Sequence, residues 1–312
     1  MTVKTIFVGH DGIRSGWRLL IFLAINLGVM GGFFGALTHL PGVRLRSGTR
    51  PGVLDQPLNL LLTEIVFAIA LLVALWTMAK IERRHIGDYG WRPKRRGAPS
   101  RWGLGFLLGV LMAAAMYGLL RIEHAYSFGS WALSPQTAVV GGLLWLAACV
   151  LVGFSEEGVY RGYAQFTLSR SIGFWKAAVL LSLAFGATHL LQPFNTSLVV
   201  VSAACFGLLM SFCLWRTGDL WLAMGIHTAF DFGEIFIFAP ADSSSSSTHL
   251  LTADLHGPIW LTGGNVGPEA GVNGLIVLPL AFAVVWRCTR RSNNSWTDPR
   301  AELETVADVV HR

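Results

Sequence analysis

The feature that most constrains this chain is a series of long apolar runs separated by short polar stretches. A helix needs about 20 consecutive apolar residues to cross the roughly 30 Å hydrocarbon core of a bilayer. Eight runs approach or reach that length: 17–39, 58–79, 102–120, 137–155, 173–191, 197–215, 219–239 and 272–288. Only 13% of the 312 residues are charged, well below the share in soluble domains. The sequence therefore predicts an all-α polytopic membrane protein with about eight transmembrane helices.

The distribution of Lys and Arg predicts the orientation, because basic residues concentrate in cytoplasmic loops. Eight of them lie in 80–101, and others follow the last apolar run, whereas 240–271 contains none. We expect both termini in the cytoplasm and 240–271 outside, in the plasma (cytoplasmic) membrane, although Arg44, Arg46 and Arg50 argue weakly the other way. The net charge of +6 then reflects topology and anionic lipid, and no nucleic-acid partner is expected.

Ionisable side chains inside apolar runs cost about 2.5–3.5 kcal/mol on insertion scales, so they usually face a cavity and have a function. Glu156, Glu157 and Arg161 follow the fourth run. If that helix continues through them, Glu157 and Arg161 are four residues apart and form an ion pair. Glu156 then points about 100° away and is the carboxylate left free to accept a proton from water.

The other candidates are histidines and acids in the fifth and seventh runs. His227 and Asp231 are four apart, so the carboxylate could orient the imidazole or share a ligand with it. The sequence also admits structural roles: an interhelical lock for Glu157 and Arg161, and simple packing for His189. We expect the remaining acids of this kind to lie at the interface or to cap a helix: Glu64, Glu234 and Asp219.

The depths of Glu156 and His189 in the membrane pose a difficulty for a site that contains both residues. Counted along the apolar runs, Glu156 and His189 lie at opposite ends of their helices, on the order of 20 Å apart at 1.5 Å per residue. We expect the fourth helix to run on to about Ser169, with the glutamates near mid-depth, and the fifth helix to be shifted or tilted.

Three short motifs occur in a fixed order. "EEGVYR" at 156–161 matches EExxxR, "FGATH" at 185–189 matches FxxxH, and "HTAFD" at 227–231 matches HxxxN/D. In this the chain resembles the CPBP family of intramembrane proteases, which includes type II CAAX prenyl endopeptidases and bacterial proteins of bacteriocin processing and abortive infection. The resemblance covers about 137–240.

The resemblance implies an intramembrane endopeptidase acting on a membrane-associated peptide or protein. It implies that Glu156 activates the attacking water, that His189 assists it, and that His227 with Asp231 stabilises the oxyanion. Three further residues would support the site: Glu157, Arg161 and Phe185. The substrate itself, and any dependence on prenylation, cannot be inferred from the sequence.

The apolar runs, the composition and, for 137–240, the resemblance together set the expected organisation of the chain. Residues 1–136 would hold about three membrane helices, 137–240 the catalytic core, 241–271 a flexible outer loop, and 272–312 the last membrane helix with a hydrophilic tail. The Gly-rich stretch 257–274 either re-enters the membrane over a cavity or belongs to that flexible loop, and its composition favours the loop.

The fourth position of the site leaves the mechanism open. An ionised Asp231 only accepts hydrogen bonds and would repel an oxyanion, so it must be protonated, orient His227, or bind a metal. If a divalent metal such as zinc is present, Glu156, His189 and His227 are its expected ligands. An HExxH motif does not occur in the sequence, and the interpretation we favour requires no metal.

Other classes of protein fit the sequence less well. "GFSE" at 153–156 matches the GxSx pattern of a rhomboid serine protease by letter, but an acid directly after the serine is a poor oxyanion environment. The GxGD motif of aspartyl intramembrane proteases does not occur. The alternative from another class is a non-proteolytic membrane scaffold or immunity factor with the same fold.

Overall fold

Each of the eight apolar runs forms helical structure. The computed structural model describes residues 7–9, 12–39, 55–93, 97–191, 197–238, 248–264 and 266–289. Its longer helices are α1 Ser15–His39, α2 Asp55–Glu82, α3 Ala98–Ile122, α4 Pro135–Glu157, α5 Gln165–Ile172, α6 Phe174–Thr188, α7 Ser197–Thr217, α8 Trp221–Phe232 and α10 Val272–Cys288. The remaining elements are β1 Val8–Gly9, β2 Gly12–Ile13, β3 Tyr126–Trp131, β4 Leu251–Leu255 and α9 Ile259–Thr262.

The described residues contain five helices long and apolar enough to cross a membrane, fewer than the eight spans predicted. They are Ser15–Ala36, Gln56–Glu82, Ala98–Ile122, Pro135–Ile172 and Ser197–Thr217. Of the other three runs, 173–191 forms α6 and a 3-10 turn at His189–Leu191, and 219–239 forms α8 and a π-helical segment at Gly233–Ile237. Run 272–288 forms α10, which is 17 residues long. The protein is an all-α integral membrane protein, with a smaller set of full-length helices than the apolar runs indicate.

The helix that carries the glutamates is long, as predicted. Ser134 accepts a hydrogen bond from the backbone N–H of Thr137 at 3.3 Å and starts α4. The helix continues through a π-helical segment, Gly158–Ala164, into α5, which ends at Gly173 with φ of +84°. Glu156 and Glu157 therefore lie within a 38-residue helical rod, directly before a local change of helical pitch. Such π segments occur frequently at functional sites.

Helices α3 and α8 pack with their backbones in close contact, and this brings α8 into the centre of the molecule. The approach depends on glycine: a Cβ atom on Gly225 would overlap the carbonyl oxygen of Trp102 and lie 2.9 Å from the backbone nitrogen of Phe106. Around this contact lies the largest apolar core, in which Met112, Met116 and Ile226 are buried. The placement of α8 fixes His227, which follows Ile226 in the chain.

Substitution of Gly225 by alanine is expected to lower the free energy of unfolding by about 1–3 kcal/mol, the usual cost of overpacking. Gly118→Ala on α3 is the matched control, because a Cβ at Gly118 meets nothing within 4 Å. Thermal unfolding in detergent should show a lower melting temperature for Gly225→Ala and an unchanged or higher one for Gly118→Ala. Equal melting temperatures would contradict the close packing of α3 on α8.

The segment predicted as a flexible outer loop is ordered from Thr248 onward, so that prediction was wrong there. Strand β4 pairs antiparallel with β3, with Tyr126 opposite Leu255. The indole N–H of Trp145 donates to the carbonyl of Thr248 at 2.9 Å. His249 donates from Nδ1 to the carbonyl of Ile235 at 2.8 Å, and burial lowers the pKa of His249 below its usual value. The Ser-rich stretch 241–247 and the tail 290–312 lie outside the described residues.

Candidate active site

Glu157 is the fixed carboxylate of the predicted motif. Its side chain is fully buried, and its Oε1 accepts hydrogen bonds from Nη1 of Arg161 at 3.2 Å and from Nδ1 of His227 at 2.8 Å. The first contact confirms the ion pair expected from the spacing of the two residues. The second joins α4 to α8 across the site and was not predicted. Because Nδ1 of His227 donates to Glu157, Nε2 is the nitrogen directed at the other acids.

Glu156 and Asp231 face that second nitrogen. The Oε2 atom of Glu156 lies 3.6 Å from Nε2 of His227, and Oδ2 of Asp231 lies 3.6 Å from the same atom. The Glu156 side chain is 40% exposed, compared with 0% for Glu157. Glu156 is thus the accessible carboxylate of the pair and Glu157 the buried one, which is the division that the helical geometry predicts.

Phe185 links the histidines to the buried arginine. Nδ1 of His189 donates to the carbonyl oxygen of Phe185 at 3.0 Å. The phenyl ring packs edge-on against the imidazoles of His189 and His227, with centroid distances of 5.2 and 6.3 Å. The guanidinium of Arg161 lies 4.7 Å from the centroid of the same ring. Helix α7 passes close to Arg161, and the absence of a side chain at Gly207 leaves room for the guanidinium. A Cβ on Gly207 would lie 2.5 Å from Nη2 of Arg161.

A cavity of about 310 Å³ unites these groups. Glu156, His189, His227 and Asp231 all line it, so the separation estimated along the apolar runs does not hold in the folded chain. The reason is the one expected: α4 and α5 form a single long helix that carries the glutamates near its middle. The catalytic roles of these residues remain a prediction, but the residues lie together.

Two acids predicted to be interfacial are buried, contrary to expectation. Glu64 on α2 is 6% exposed and lines the cavity. Glu234, which follows α8, is 8% exposed. Glu269 also lines the cavity, so the Gly-rich stretch contributes to its wall. The sequence signal that could have identified Glu64 is its position inside an apolar run, which is the same criterion that selected Glu156.

The contacts of Asp219 indicate a structural role. Its Oδ1 accepts a hydrogen bond from the backbone N–H of Trp221 at 3.4 Å, at the start of α8, as expected of a capping group. Its other oxygen lies 3.0 Å from Nη2 of Arg101. This buried ion pair joins the start of α3 to the start of α8 and stands outside the cavity.

A divalent metal would need several grouped donors. Within the ranges that the structure describes, no three His, Cys, Asp or Glu side chains are grouped so that they could hold a metal ion. The expected ligands Glu156, His189 and His227 line one cavity without forming such a group. The residues therefore do not fit a preformed metal centre, and the reaction proposed below uses the side chains alone.

Comparison with known protein families places the site in a recognised domain. Residues 138–233 match the family of Rce1-like type II CAAX prenyl endopeptidases. The matched range starts in α4 and ends two residues after Asp231, so it contains all three sequence motifs. No curated protein matches the chain. The match confirms the resemblance predicted from the motifs: within this integral membrane protein, residues 138–233 are similar to the Rce1-like type II CAAX prenyl endopeptidase family.

Proposed function

We propose that this protein is an intramembrane endopeptidase in which Glu156 activates the water that hydrolyses a peptide bond. One observation carries the proposal: a fully buried carboxylate, Glu157, holds His227 by one ring nitrogen, while an accessible carboxylate, Glu156, faces the other nitrogen inside a cavity. Two adjacent acids with opposite environments suit the two tasks of positioning and proton transfer.

In the proposed reaction, the Glu156 carboxylate takes a proton from water as the water oxygen bonds to the carbonyl carbon of the substrate. The carbonyl oxygen becomes an oxyanion, which accepts a hydrogen bond from Nε2–H of His227. His227 is the imidazolium in this step, because its Nδ1–H donates to Glu157 at the same time. The carbon–nitrogen bond then breaks, and Glu156 returns the proton to the departing amine. The products are a carboxylic acid and an amine, which exchange a proton to become a carboxylate and an ammonium group, and Glu156 ends ionised, as it began.

The neighbouring groups have supporting roles in this proposal. The Nδ1 donor of His189 is engaged by the carbonyl of Phe185, which leaves its Nε2 to accept a hydrogen bond from the attacking water. Asp231, whose Oδ2 lies 3.6 Å from Nε2 of His227, attracts the protonated imidazole until the oxyanion takes its place. Phe185 and Arg161 fix the positions of the two imidazoles and of Glu157 by packing and charge.

The role given to Asp231 predicts different effects of two substitutions. Asp231→Asn should keep kcat within about tenfold, because an amide can donate to the oxyanion itself, whereas Asp231→Ala should lose about 10²-fold, as when an oxyanion-stabilising group is removed. The measurement is kcat of the purified protein in liposomes. Equal losses for both variants would show that the negative charge of Asp231 is essential and would contradict this role.

The function itself is tested with a library of membrane-soluble peptides. Full-length protein is reconstituted into liposomes with the library, and cleaved peptides are identified by mass spectrometry for wild type and Glu156→Gln. The proposal expects cleavage products with wild type that are absent with the variant. Products that form equally with both proteins would contradict it, and the absence of any product would favour the scaffold or immunity-factor alternative.

We also propose a membrane setting for this reaction. The absence of Lys and Arg from 240–271 and their concentration in 80–101 support cytoplasmic termini in the plasma (cytoplasmic) membrane. The partners are then the lipid bilayer and a membrane-associated peptide or protein. The catalytic unit is proposed to be 137–240, with 1–136 and 272–312 supplying flanking membrane helices.

A further inference from the structure

Glu64 is a buried acid for which the proposed reaction has no use. It lies on α2, outside the matched range 138–233, and its side chain is directed at the cavity that contains Glu156. The residue is 6% exposed, and its Oε2 has no hydrogen-bond partner among the described residues. An unpaired carboxylate in such a position is costly, and a cationic ligand would offset that cost.

The charges around Glu64 indicate the sign of that ligand. The carboxylates of Glu156 and Asp231 repel that of Glu64. Glu269 adds a fourth carboxyl to the cavity wall, and the described residues that line the cavity include no Lys or Arg. The two lining imidazoles are already engaged, His227 by Glu157 and His189 by the carbonyl of Phe185. The cavity is therefore complementary to a cation.

The remaining lining indicates what kind of cation fits. Most of the wall is apolar, with Leu60 one helical turn from Glu64 and with Met112 and Met116 of α3 also lining the cavity. Lys and Arg combine a long aliphatic stem, which packs on apolar surface, with a charged end group that needs a carboxylate partner. A small hydrated cation would leave this apolar surface unused.

We propose that Glu64 forms a subsite that binds a basic side chain, Lys or Arg, of the substrate near the cleaved bond. The proposal rests on the proposed endopeptidase function and adds a determinant of substrate choice to it. Glu64 forms a charge-assisted hydrogen bond with the basic group, and Met112 and Met116 pack against the stem. Glu64 is thus a specificity residue and takes no part in bond cleavage.

The test uses the same peptide library with two further variants, Glu64→Gln and Leu60→Met. For wild type, cleaved peptides should be enriched in Lys or Arg at one fixed position relative to the cleaved bond. Glu64→Gln should lose this enrichment while it still cleaves peptides. Leu60→Met changes the same wall with nearly equal volume and should keep the enrichment.

A matched substrate pair measures the size of the effect. A cleaved peptide is synthesised with Lys at the enriched position and again with norleucine, which has a similar stem but no charge. Wild type should prefer Lys by about tenfold or more in kcat/KM, the value of a hydrogen bond to a charged group, and the difference should lie in KM. The ratio should fall close to one in Glu64→Gln. Because wild type alone tests the substrate pair, the result does not depend on how well the variant folds.

The outcomes separate this inference from the function on which it rests. Glu156-dependent cleavage with no preference for basic residues, or with a preference that Glu64→Gln leaves unchanged, would overturn the subsite and leave the endopeptidase standing. Cleavage that does not depend on Glu156 would overturn both. Loss of the preference in Leu60→Met as well as in Glu64→Gln would indicate a general effect of the cavity wall and would contradict a charge-specific site.

Discussion

Glu156→Gln is expected to abolish peptide-bond cleavage while the protein stays folded. The amide keeps the size of the side chain but cannot take a proton from water, so the contribution of a general base, about 10²–10⁴-fold, is lost. The position tolerates the change because the side chain is 40% exposed to the cavity. The measurement is kcat with a peptide identified from the library, in liposomes that contain equal amounts of each protein.

Glu123→Gln is the matched control for this substitution. Glu123 follows α3 and accepts a hydrogen bond from the amide of Asn273 at 2.7 Å, away from the imidazoles. The same change from carboxylate to amide should there leave kcat close to the wild-type value. A Glu156→Gln protein that cleaves at the wild-type rate would remove Glu156 from the mechanism.

Glu157→Gln is expected to cost as much activity by a different route. Glu157 pairs with the Nδ1–H of the protonated His227 and so holds its Nε2–H toward the cavity, and loss of the carboxylate that orients a catalytic histidine lowers kcat about 10⁴-fold in serine proteases. The variant should also be less stable, by about 3–5 kcal/mol, because Arg161 is left as a buried charge without its partner. Both kcat and the melting temperature are measured.

A double variant separates the two effects of Glu157. In Glu157→Gln/Arg161→Met the unpaired charge is gone, so the melting temperature should recover most of the loss. Activity should stay low, because the amide lacks the negative charge that holds the protonated imidazole of His227. A double variant that recovers both stability and activity would show that the Glu157–Arg161 pair is only a structural lock.

The helices were predictable because apolar runs determine which segments are helical in a membrane. The continuation of α4 past its apolar run was also predictable, since the glutamates needed a helix to share a cavity with His189. The lengths of α6 and α8 were not, because the 3-10 turn at 189–191 and the π-helical segment at 233–237 consist largely of residues as apolar as the helices beside them. Strand β4 was not predicted, because the composition around it is that of a loop. The strand forms by pairing with β3, more than 100 residues earlier in the chain.

Local spacing identified most of the candidate site but not all of its contacts. The pair Glu157–Arg161 follows from four residues of separation, and the same pairing made Glu157 look fully occupied. Its second hydrogen bond comes from His227, 70 residues later, and depends on the close packing that places α8. Glu64 was assigned to the interface because depth was counted along one apolar run, whereas tertiary packing buries it beside Glu156.

The most direct test of the central claim is an unbiased comparison of new peptide termini in membranes of cells that carry wild type or Glu156→Gln at matched abundance. This comparison requires no assumption about the substrate. We predict a set of termini that is present with wild type and absent with the variant, and the proteins that contain those termini are the substrates. Identical sets of termini for the two proteins would contradict the account and favour a non-proteolytic scaffold or immunity factor.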